Sequence, residues 1–262
     1  MLDVHPAHHA ADSWKEFFVH IATIVLGLLI AVGLEQGVEY IHHRREVAEA
    51  RRALEVERKL NINRFVAEAE EFRRYVPLLK KNLAILVYLR EHPHAPASQW
   101  PGEFGLGNVT FVYEYTAWSN AVDNHVVAYM PAAEVARNAA LYGLLHQLEE
   151  EQRSAADKIQ EWQRLRMYAP DPSTWSPAEI DHQLELMTSI LKDYRSQAIG
   201  QSNLARKHQD FHGALTIEDA NSIAPYGYGP VDPEMKAITD RLQRANAAVY
   251  AAAGESAEEK PQ

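Results

Sequence analysis

The sequence predicts an all-helical protein, in which an amino-terminal transmembrane helix continues into a long helix and is followed by a bundle of four or five helices. Three observations support this fold class. Residues 17–34 form an apolar run, apolar side chains recur every three or four positions through most of the remaining chain, and a short alternating segment at 109–115 has no second strand to pair with. The predicted divisions are a leader (1–16), an anchor (17–38), a helical bundle domain (39–253) and a disordered tail (254–262).

The apolar run is long enough to cross a lipid bilayer. Its eighteen residues contain one ionisable side chain, His20, and as a helix they reach roughly 27 Å, close to the roughly 30 Å of hydrocarbon. A secretory signal peptide is the main alternative, because Ala31, Val32 and Gly33 resemble a cleavage site. The run is longer than the usual apolar region of a signal peptide, however, and helix-forming sequence continues beyond it. The sequence therefore predicts an uncleaved anchor.

Basic residues flank the anchor unequally. Lys15 precedes it, whereas Arg44, Arg45, Arg51 and Arg52 follow it. Because basic residues are enriched on the cytoplasmic side of membrane helices, this bias predicts a single-pass protein of the bacterial inner membrane with most of the chain in the cytoplasm. A periplasmic domain is the alternative, since the short first segment also resembles the start of a signal anchor.

Small and polar residues share one face of the anchor. They follow one another at spacings of three, four, four and four: His20, Thr23, Gly27, Ala31 and Glu35. Such a face allows a second helix to approach closely and offers hydrogen bonds across the contact. It predicts packing against another copy or another membrane protein. The alternative is that Gly and Ala are simply common in membrane helices.

The composition excludes several classes of function. With 36 acidic and 26 basic residues, the chain has a formal charge of -10, which repels nucleic acid. It contains no cysteine, so disulfides, thiolate metal sites and cysteine nucleophiles are excluded. No phosphate-binding, dinucleotide-binding or hydrolase motif occurs. We therefore predict neither a cofactor nor a catalytic site.

Apolar seams define the first part of the domain. The seam of the first helix alternates at spacings of three and four: Ile62, Phe65, Ala69, Phe72, Val76, Leu79, Leu83 and Leu86. Pro77 lies within this seam, where it either kinks the helix or begins another. A loop is predicted at 92–107 and extended coil at 109–115, and the next helix begins at Thr116.

Two longer helices and a final one complete the predicted bundle. Pro131 opens a helix with the seam Leu141, Leu145, Leu148, Gln152, Ala155, Ile159 and Trp162. A capping box of Ser176 and Glu179 starts the next, with the seam Ile180, Leu184, Met187, Leu191, Tyr194 and Ala198. A second loop at 213–231 precedes a last helix that begins at Asp232 and ends near residue 253.

Aromatic residues crowd the stretch between the first two long helices. They are Trp100, Phe104, Phe111, Tyr113, Tyr115 and Trp118. They predict either a pocket or partner surface, or the packed end of the helical bundle.

Two histidine spacings suggest metal ligands. His208 and His212 would share a helical face, and Glu179 and His182 have the spacing of a di-iron motif. Two ligands do not complete a zinc site, and the di-iron motif has no second copy in the chain. We therefore predict no metal.

Several short motifs accompany this layout. They are Leu34-Glu35-Gln36 at the exit of the anchor, His42-His43-Arg44, Thr116-Ala117-Trp118, Met130-Pro131 and Leu141-Tyr142. In these motifs the chain resembles a family of uncharacterised bacterial single-pass membrane proteins, whose members have an amino-terminal anchor, a charged juxtamembrane helix and a helical domain. The resemblance covers most of the chain up to about residue 142. It implies this layout and no activity, because the family has none assigned.

The predicted function is non-enzymatic. An anchored helical domain without a catalytic motif indicates a scaffold or interaction module at the membrane, whose partner is the protein itself or another membrane protein. A ligand-sensing bundle that signals through its anchor is the alternative. An enzyme of unrecognised type is a third reading.

Overall fold

The computed structural model describes residues 14–105 and 110–223, together with residues 233, 236, 237, 240, 241 and 244. Its helices are α1 (Trp14–Glu91), α2 (Thr116–Asp123), α3 (Ala132–Tyr168), α4 (Pro177–Lys207) and α5 (Ile217–Ile223). Short 3-10 turns occur at Ala97–Gln99, Val126–Tyr129 and Pro172–Thr174. Helices make up 83% of the residues that the structure describes, and no strand occurs among them, so the predicted all-α fold is confirmed. Most of the predicted leader, most of the predicted last helix and the whole tail lie outside the described residues.

The first helix, α1, runs for 78 residues without interruption. Pro77 lies inside it, so no second helix begins there. Proline cannot donate a hydrogen bond to the carbonyl four residues earlier, but Val76 and Leu79 on either side are buried and hold this turn in place. The predicted seam is confirmed, because every member from Phe65 to Leu86 is buried and Ile62 packs at its edge.

The helices α3 and α4 form an antiparallel hairpin that packs against α1. Near one end of the pair, a Cβ added at Gly200 would lie 2.8 Å from Cδ2 of Leu148. Near its middle, Asp193 accepts hydrogen bonds from Ser154 at 2.9 Å and from Lys158 at 2.5 Å. The predicted seams of both helices are buried, which confirms the two long helices of the bundle.

The helix α5 corrects the predicted loop at 213–231 over Ile217–Ile223, and residues 224–231 of that loop lie outside the described residues. Thr216 and Asp219 form a reciprocal cap, in which the Asp219 carboxylate accepts from the Thr216 N–H at 2.8 Å and the Thr216 hydroxyl accepts from the Asp219 N–H at 3.0 Å. Ala220 and Ile223 are buried in the core. The loop prediction was wrong for these seven residues, because so short a helix does not display an apolar period.

The core divides into two clusters along α1. The proximal core lies nearer the predicted anchor and includes Val47, Leu54, Phe65, Leu145 and Phe211. The distal core lies beyond it and includes Phe72, Leu86, Trp162, Trp175 and Met187. Since α1 contributes to both clusters, the helix that contains the apolar run is also the central support of the domain.

Candidate functional site

Within the described part of the chain, α1 is the one helix long and apolar enough to cross a membrane, by its length and composition. Its most apolar window has a mean hydropathy of 2.5, and none of that window is buried in the protein. The predicted packing face is exposed along its length, including His20, Ala31 and Glu35. Thr23 donates to the Val19 carbonyl at 2.8 Å within the helix, and a Cβ added at Gly27 would meet nothing within 4 Å. The packing of another helix on this face stays a prediction.

A histidine pair lies where α1 passes from the predicted anchor to the domain. Nε2 of His42 is 3.1 Å from one carboxylate oxygen of Glu46, and Nδ1 of His43 is 3.0 Å from the other. The hydrogen bond from His43 lowers the pKa of Glu46. The His43 ring also stacks on Tyr129, with ring centroids 3.6 Å apart. This contact ties the turn at Val126–Tyr129 to α1 just before Val47, the first buried residue.

Two aromatic residues of the predicted group pack at the end of the bundle far from the predicted anchor. The ring centroid of Phe104 lies 5.9 Å from that of Trp162 and 6.2 Å from that of Trp175, both of which are fully buried. The Trp100 indole N–H donates to the Ala95 carbonyl at 2.9 Å. These contacts hold the loop after α1 against the distal core, as expected for aromatic residues that close the end of a bundle.

The other aromatic residues lie in the extended segment 110–115 and in α2. Tyr113 is buried in the proximal core, and Tyr115 and Trp118 pack against the same cluster. Trp118 stacks on Tyr142, with ring centroids 5.5 Å apart. Phe111 donates its backbone N–H to the Gln152 side chain at 2.8 Å. The aromatic group therefore divides between two core clusters, and the predicted pocket or partner surface stays a prediction.

Polar side chains in the seam of α1 hold the extended segment in place. The Asn61 amide donates to the Glu114 carbonyl at 2.8 Å and accepts from the Glu114 N–H at 2.7 Å. The Glu57 carboxylate accepts from the Ala117 N–H and from the Tyr142 hydroxyl, each at 2.6 Å. Ala117 lies in the first turn of α2, where backbone N–H groups have no partner within the helix. Glu57 therefore caps α2 from a neighbouring helix.

Glu68 is a buried carboxylate on the same face of α1, with 2% of its surface exposed. It accepts hydrogen bonds from the Tyr113 hydroxyl and, at 2.5 Å, from Nε2 of Gln197. Burial raises the pKa of Glu68, because the loss of hydration outweighs the hydrogen bonds that favour the ionised form. A cavity of about 20 Å³ borders Glu68 and Gln152, and Nε2 of Gln152 has no hydrogen-bond partner among the residues that the structure describes. This volume matches one water molecule and is too small for an organic ligand.

The predicted pairing of His208 and His212 on one helical face is wrong. The helix α4 ends at Lys207 with His208 as its cap, so the chain between the two histidines is not helical. His208 is buried, whereas His212 is exposed, and Nδ1 of His212 lies 2.9 Å from the Asp210 carbonyl oxygen. The Asp210 carboxylate forms an ion pair with Arg58 of α1. Among the described residues, no group of three or more His, Asp or Glu side chains is arranged to hold a metal ion.

The predicted capping role of Glu179 is confirmed. Its carboxylate accepts from the Ser176 N–H at 2.7 Å, and the Ser176 hydroxyl accepts from the Glu179 N–H at 3.3 Å. His182, three residues later, instead contacts Glu161 of α3 at 3.2 Å. A groove of about 420 Å³ lies at this end of the hairpin, bordered by Tyr168, which is 80% exposed.

Sequence reasoning missed the buried polar residues of α1. Glu57, Asn61 and Glu68 follow one another at spacings of four and seven, in register with Phe65 and Phe72 of the seam. A polar side chain on the packed face of a helix cannot reach water, so it needs a buried hydrogen-bond partner. Their position within an apolar seam was therefore the available signal for a polar network.

Comparisons with protein-family models, curated proteins and solved structures gave no match. The resemblance to single-pass membrane proteins of bacteria stays a prediction. The functional proposal therefore depends on the contacts of this chain alone.

Proposed function

We propose that the protein is a single-pass membrane protein whose helical domain serves as a non-enzymatic scaffold or interaction module. The observation that carries this proposal is the continuity of α1, which contains both the apolar run and the seam of the domain in one helix of 78 residues. At about 1.5 Å per residue this helix is roughly 117 Å long, of which roughly 27 Å lies in hydrocarbon. The domain is therefore held at a fixed distance from the bilayer rather than on a flexible linker.

The contacts of α1 with the rest of the domain support a rigid attachment. Arg51 binds Glu134 of α3 at 2.6 Å, and Arg90, near the far end of α1, binds Asp181 of α4 at 2.9 Å. Surface ion pairs of this kind contribute little to stability individually. Together with the two core clusters, however, they fix the bundle to both ends of the helical segment beyond the anchor. A rigid platform of this kind suits the presentation of surfaces to other membrane-bound proteins.

The charge bias around the anchor supports a cytoplasmic domain at the inner membrane of a bacterium, with the protein itself or another membrane protein as its partner. A reporter fused after Gln262 that is active on one side of the membrane tests the orientation. Activity of a cytoplasmic reporter is expected, and activity of a periplasmic reporter alone would reverse the orientation.

Membrane fractionation of the full-length protein tests the anchoring. The intact chain should remain in the membrane pellet after an alkaline wash and enter solution with detergent. As a control, replacement of both Leu26 and Leu29 by Arg places charges near the centre of the segment, each with an insertion penalty of about 3 kcal/mol, and should release the chain into the wash. Recovery of the intact, uncleaved wild type in the wash without detergent would overturn the proposal.

A ligand-sensing bundle is the second candidate, and one observation favours it. Glu68 and Gln152 border a polar cavity, and Glu68 belongs to the helix that continues into the anchor. The cavity admits a water-sized species, so an organic ligand requires the bundle to open. A ligand that raises the melting temperature would support sensing, since binding to the folded state alone stabilises it. The scaffold proposal predicts no such dependence.

A further inference from the structure

We infer that one face of α1 forms a parallel dimer interface with a second copy of this chain, extending from the anchor into the domain. The inference rests on the membrane anchoring proposed above. We call this face the outer stripe. Within the anchor it contains His20, Thr23, Gly27, Ala31, Glu35 and Val38, and beyond the anchor it contains His42, Arg45, Glu49, Ala53, Val56, Leu60, Asn63 and Ala67.

The outer stripe lies opposite the packed face of α1. Its members beyond the anchor follow one another at spacings of three or four, which keeps side chains on one side of a helix. At about 100° per residue, Val56 falls within about 20° of Gly27 around the axis, whereas Leu54 and Phe65 of the core point to the other side. The predicted membrane face and the outer face of the domain helix are therefore one continuous surface.

Apolar side chains of the outer stripe are exposed beyond the anchor. Val56 is 61% exposed and Leu60 is 46% exposed. A surface helix normally directs one apolar side toward the core and a polar side toward water. Because α1 already buries Leu54 and Phe65 on its packed side, the second apolar line indicates a second packing partner.

Arg45 and Glu49 make the outer stripe complementary to itself. Both are exposed, and neither forms an ion pair with another residue in the part of the chain that the structure describes. Arginine four residues before glutamate is also the weaker order for a pair within one helix. In two parallel helices, Arg45 of each copy lies one turn before Glu49 of the other, so that two symmetric ion pairs form across the interface.

Insertion into the membrane favours a second copy of this chain as the partner that covers the outer stripe. Copies of a single-pass protein insert with the same direction and depth, so each presents an identical outer stripe at the same height. A two-fold interface then brings Gly27 against its own counterpart in the anchor and Leu60 against its counterpart in the domain. Asn63 is the polar residue among the apolar members Val56, Leu60 and Ala67. A single Asn in such a seam favours one register of a two-stranded coiled coil.

Cysteine crosslinking in native membranes tests the interface, because the natural chain contains no cysteine. The stripe variants are Val56→Cys and Leu60→Cys, each introduced alone into the full-length protein. The matched controls are their neighbours, Glu55→Cys and Lys59→Cys, whose side chains are 60% and 70% exposed. Since a disulfide requires Cα atoms within about 7 Å, mild oxidation should give about tenfold more dimer at 56 and 60 than at 55 and 59.

Equal crosslinking at all four positions, or none at 56 and 60, would overturn the interface. Alkaline extraction of the same samples separates the two proposals. A membrane-bound protein without the expected crosslinks contradicts the interface alone, whereas a protein that washes off the membrane contradicts the anchoring.

Charge reversal provides a second readout of the parallel register. In the Val56→Cys background, Arg45→Glu and Glu49→Arg should each reduce the crosslinked fraction, because each places like charges across the interface. The double reversal should restore it. If the double variant crosslinks no better than the single variants, the pairing of Arg45 with Glu49 is wrong.

Discussion

The side-chain amide of Asn61 pairs with both backbone groups of Glu114, at 2.8 Å and 2.7 Å, as the peptide of a neighbouring strand would. The same arrangement recurs one core cluster further along α1, where Asn82 pairs with the N–H and carbonyl of Gly105 at 3.0 Å and 2.9 Å. Buried backbone groups need hydrogen-bond partners. Asn61 and Asn82 of α1 therefore supply the hydrogen bonds that a neighbouring strand would give to the backbone of Glu114 and Gly105.

Asn61→Ala should lower the free energy of unfolding by about 2 kcal/mol, because it leaves both backbone groups of Glu114 without partners. The measurement is urea unfolding of the full-length protein in detergent, followed by tryptophan fluorescence. Asn120→Ala, at an exposed position of α2, is the control and should change stability by less than about 0.5 kcal/mol. Equal effects of the two substitutions would contradict the role of Asn61.

Glu57 and Tyr142 should show coupled effects on stability. The Tyr142 hydroxyl donates to Glu57, so Tyr142→Phe should cost about 1 kcal/mol and Glu57→Ala more, since the latter also removes the cap of α2. Both single substitutions remove the hydrogen bond between the Tyr142 hydroxyl and Glu57. The loss of stability in the double variant should therefore be smaller than the sum of the two single losses by about 1 kcal/mol. Urea unfolding of all four proteins measures this difference, and strict additivity would exclude the bond.

Glu68→Gln should change the pH dependence of stability. Burial raises the pKa of Glu68 in the folded protein above its unfolded value, so the folded state holds this proton more tightly. The stabilisation is present below the unfolded value, about 4.3, and is lost as the pH rises through the folded value. Glutamine does not titrate, so the variant keeps its stability while the wild type loses stability as the pH rises from the unfolded to the folded pKa of Glu68. The stability of the variant relative to wild type should therefore rise with pH over this range. Unfolding free energies measured from acid to neutral pH check this trend.

Glu179→Gln provides the opposite sign as a control. Hydrogen bonds from Ser176 lower the pKa of Glu179, so its contribution to stability is present above the unfolded value and is lost as the pH falls through the folded value. The wild type should therefore lose its advantage over this variant at acid pH. If both variants followed the same trend, the assignment of Glu68 as a buried carboxylate with a raised pKa would be wrong.

Two helical glycines should respond differently to alanine. Gly143→Ala in α3 should stabilise the protein by about 0.5–1 kcal/mol, because the helix gains propensity and an added Cβ would meet nothing within 4 Å. Gly200→Ala in α4 should be less stable than Gly143→Ala, since its Cβ would lie 2.8 Å from Cδ2 of Leu148, which is buried. Melting temperatures of the two variants provide the comparison, and equal stabilisation would mean that Leu148 moves aside freely.

Most of the helical architecture follows from local patterns. The seam from Phe65 to Leu86 was predicted and is buried, and the capping box of Ser176 and Glu179 begins α4 as expected. These predictions succeed because side-chain period and capping depend on neighbours within one or two turns. By contrast, α5 was missed because its seven residues gain their stability from burial of Ala220 and Ile223 rather than from a local period.

The sequence by itself determined the apolar run, the helical periods and the absence of thiol chemistry, because each depends on residue type and spacing along one chain. The tertiary structure alone decided that the aromatic residues divide between two cores, that Glu57 and Asn61 support a distant segment, and that Val56 and Leu60 remain exposed. These features depend on which helix faces are already covered by segments far away in the chain. Spacing defines the faces of a helix, but only packing decides which of them is left for a partner.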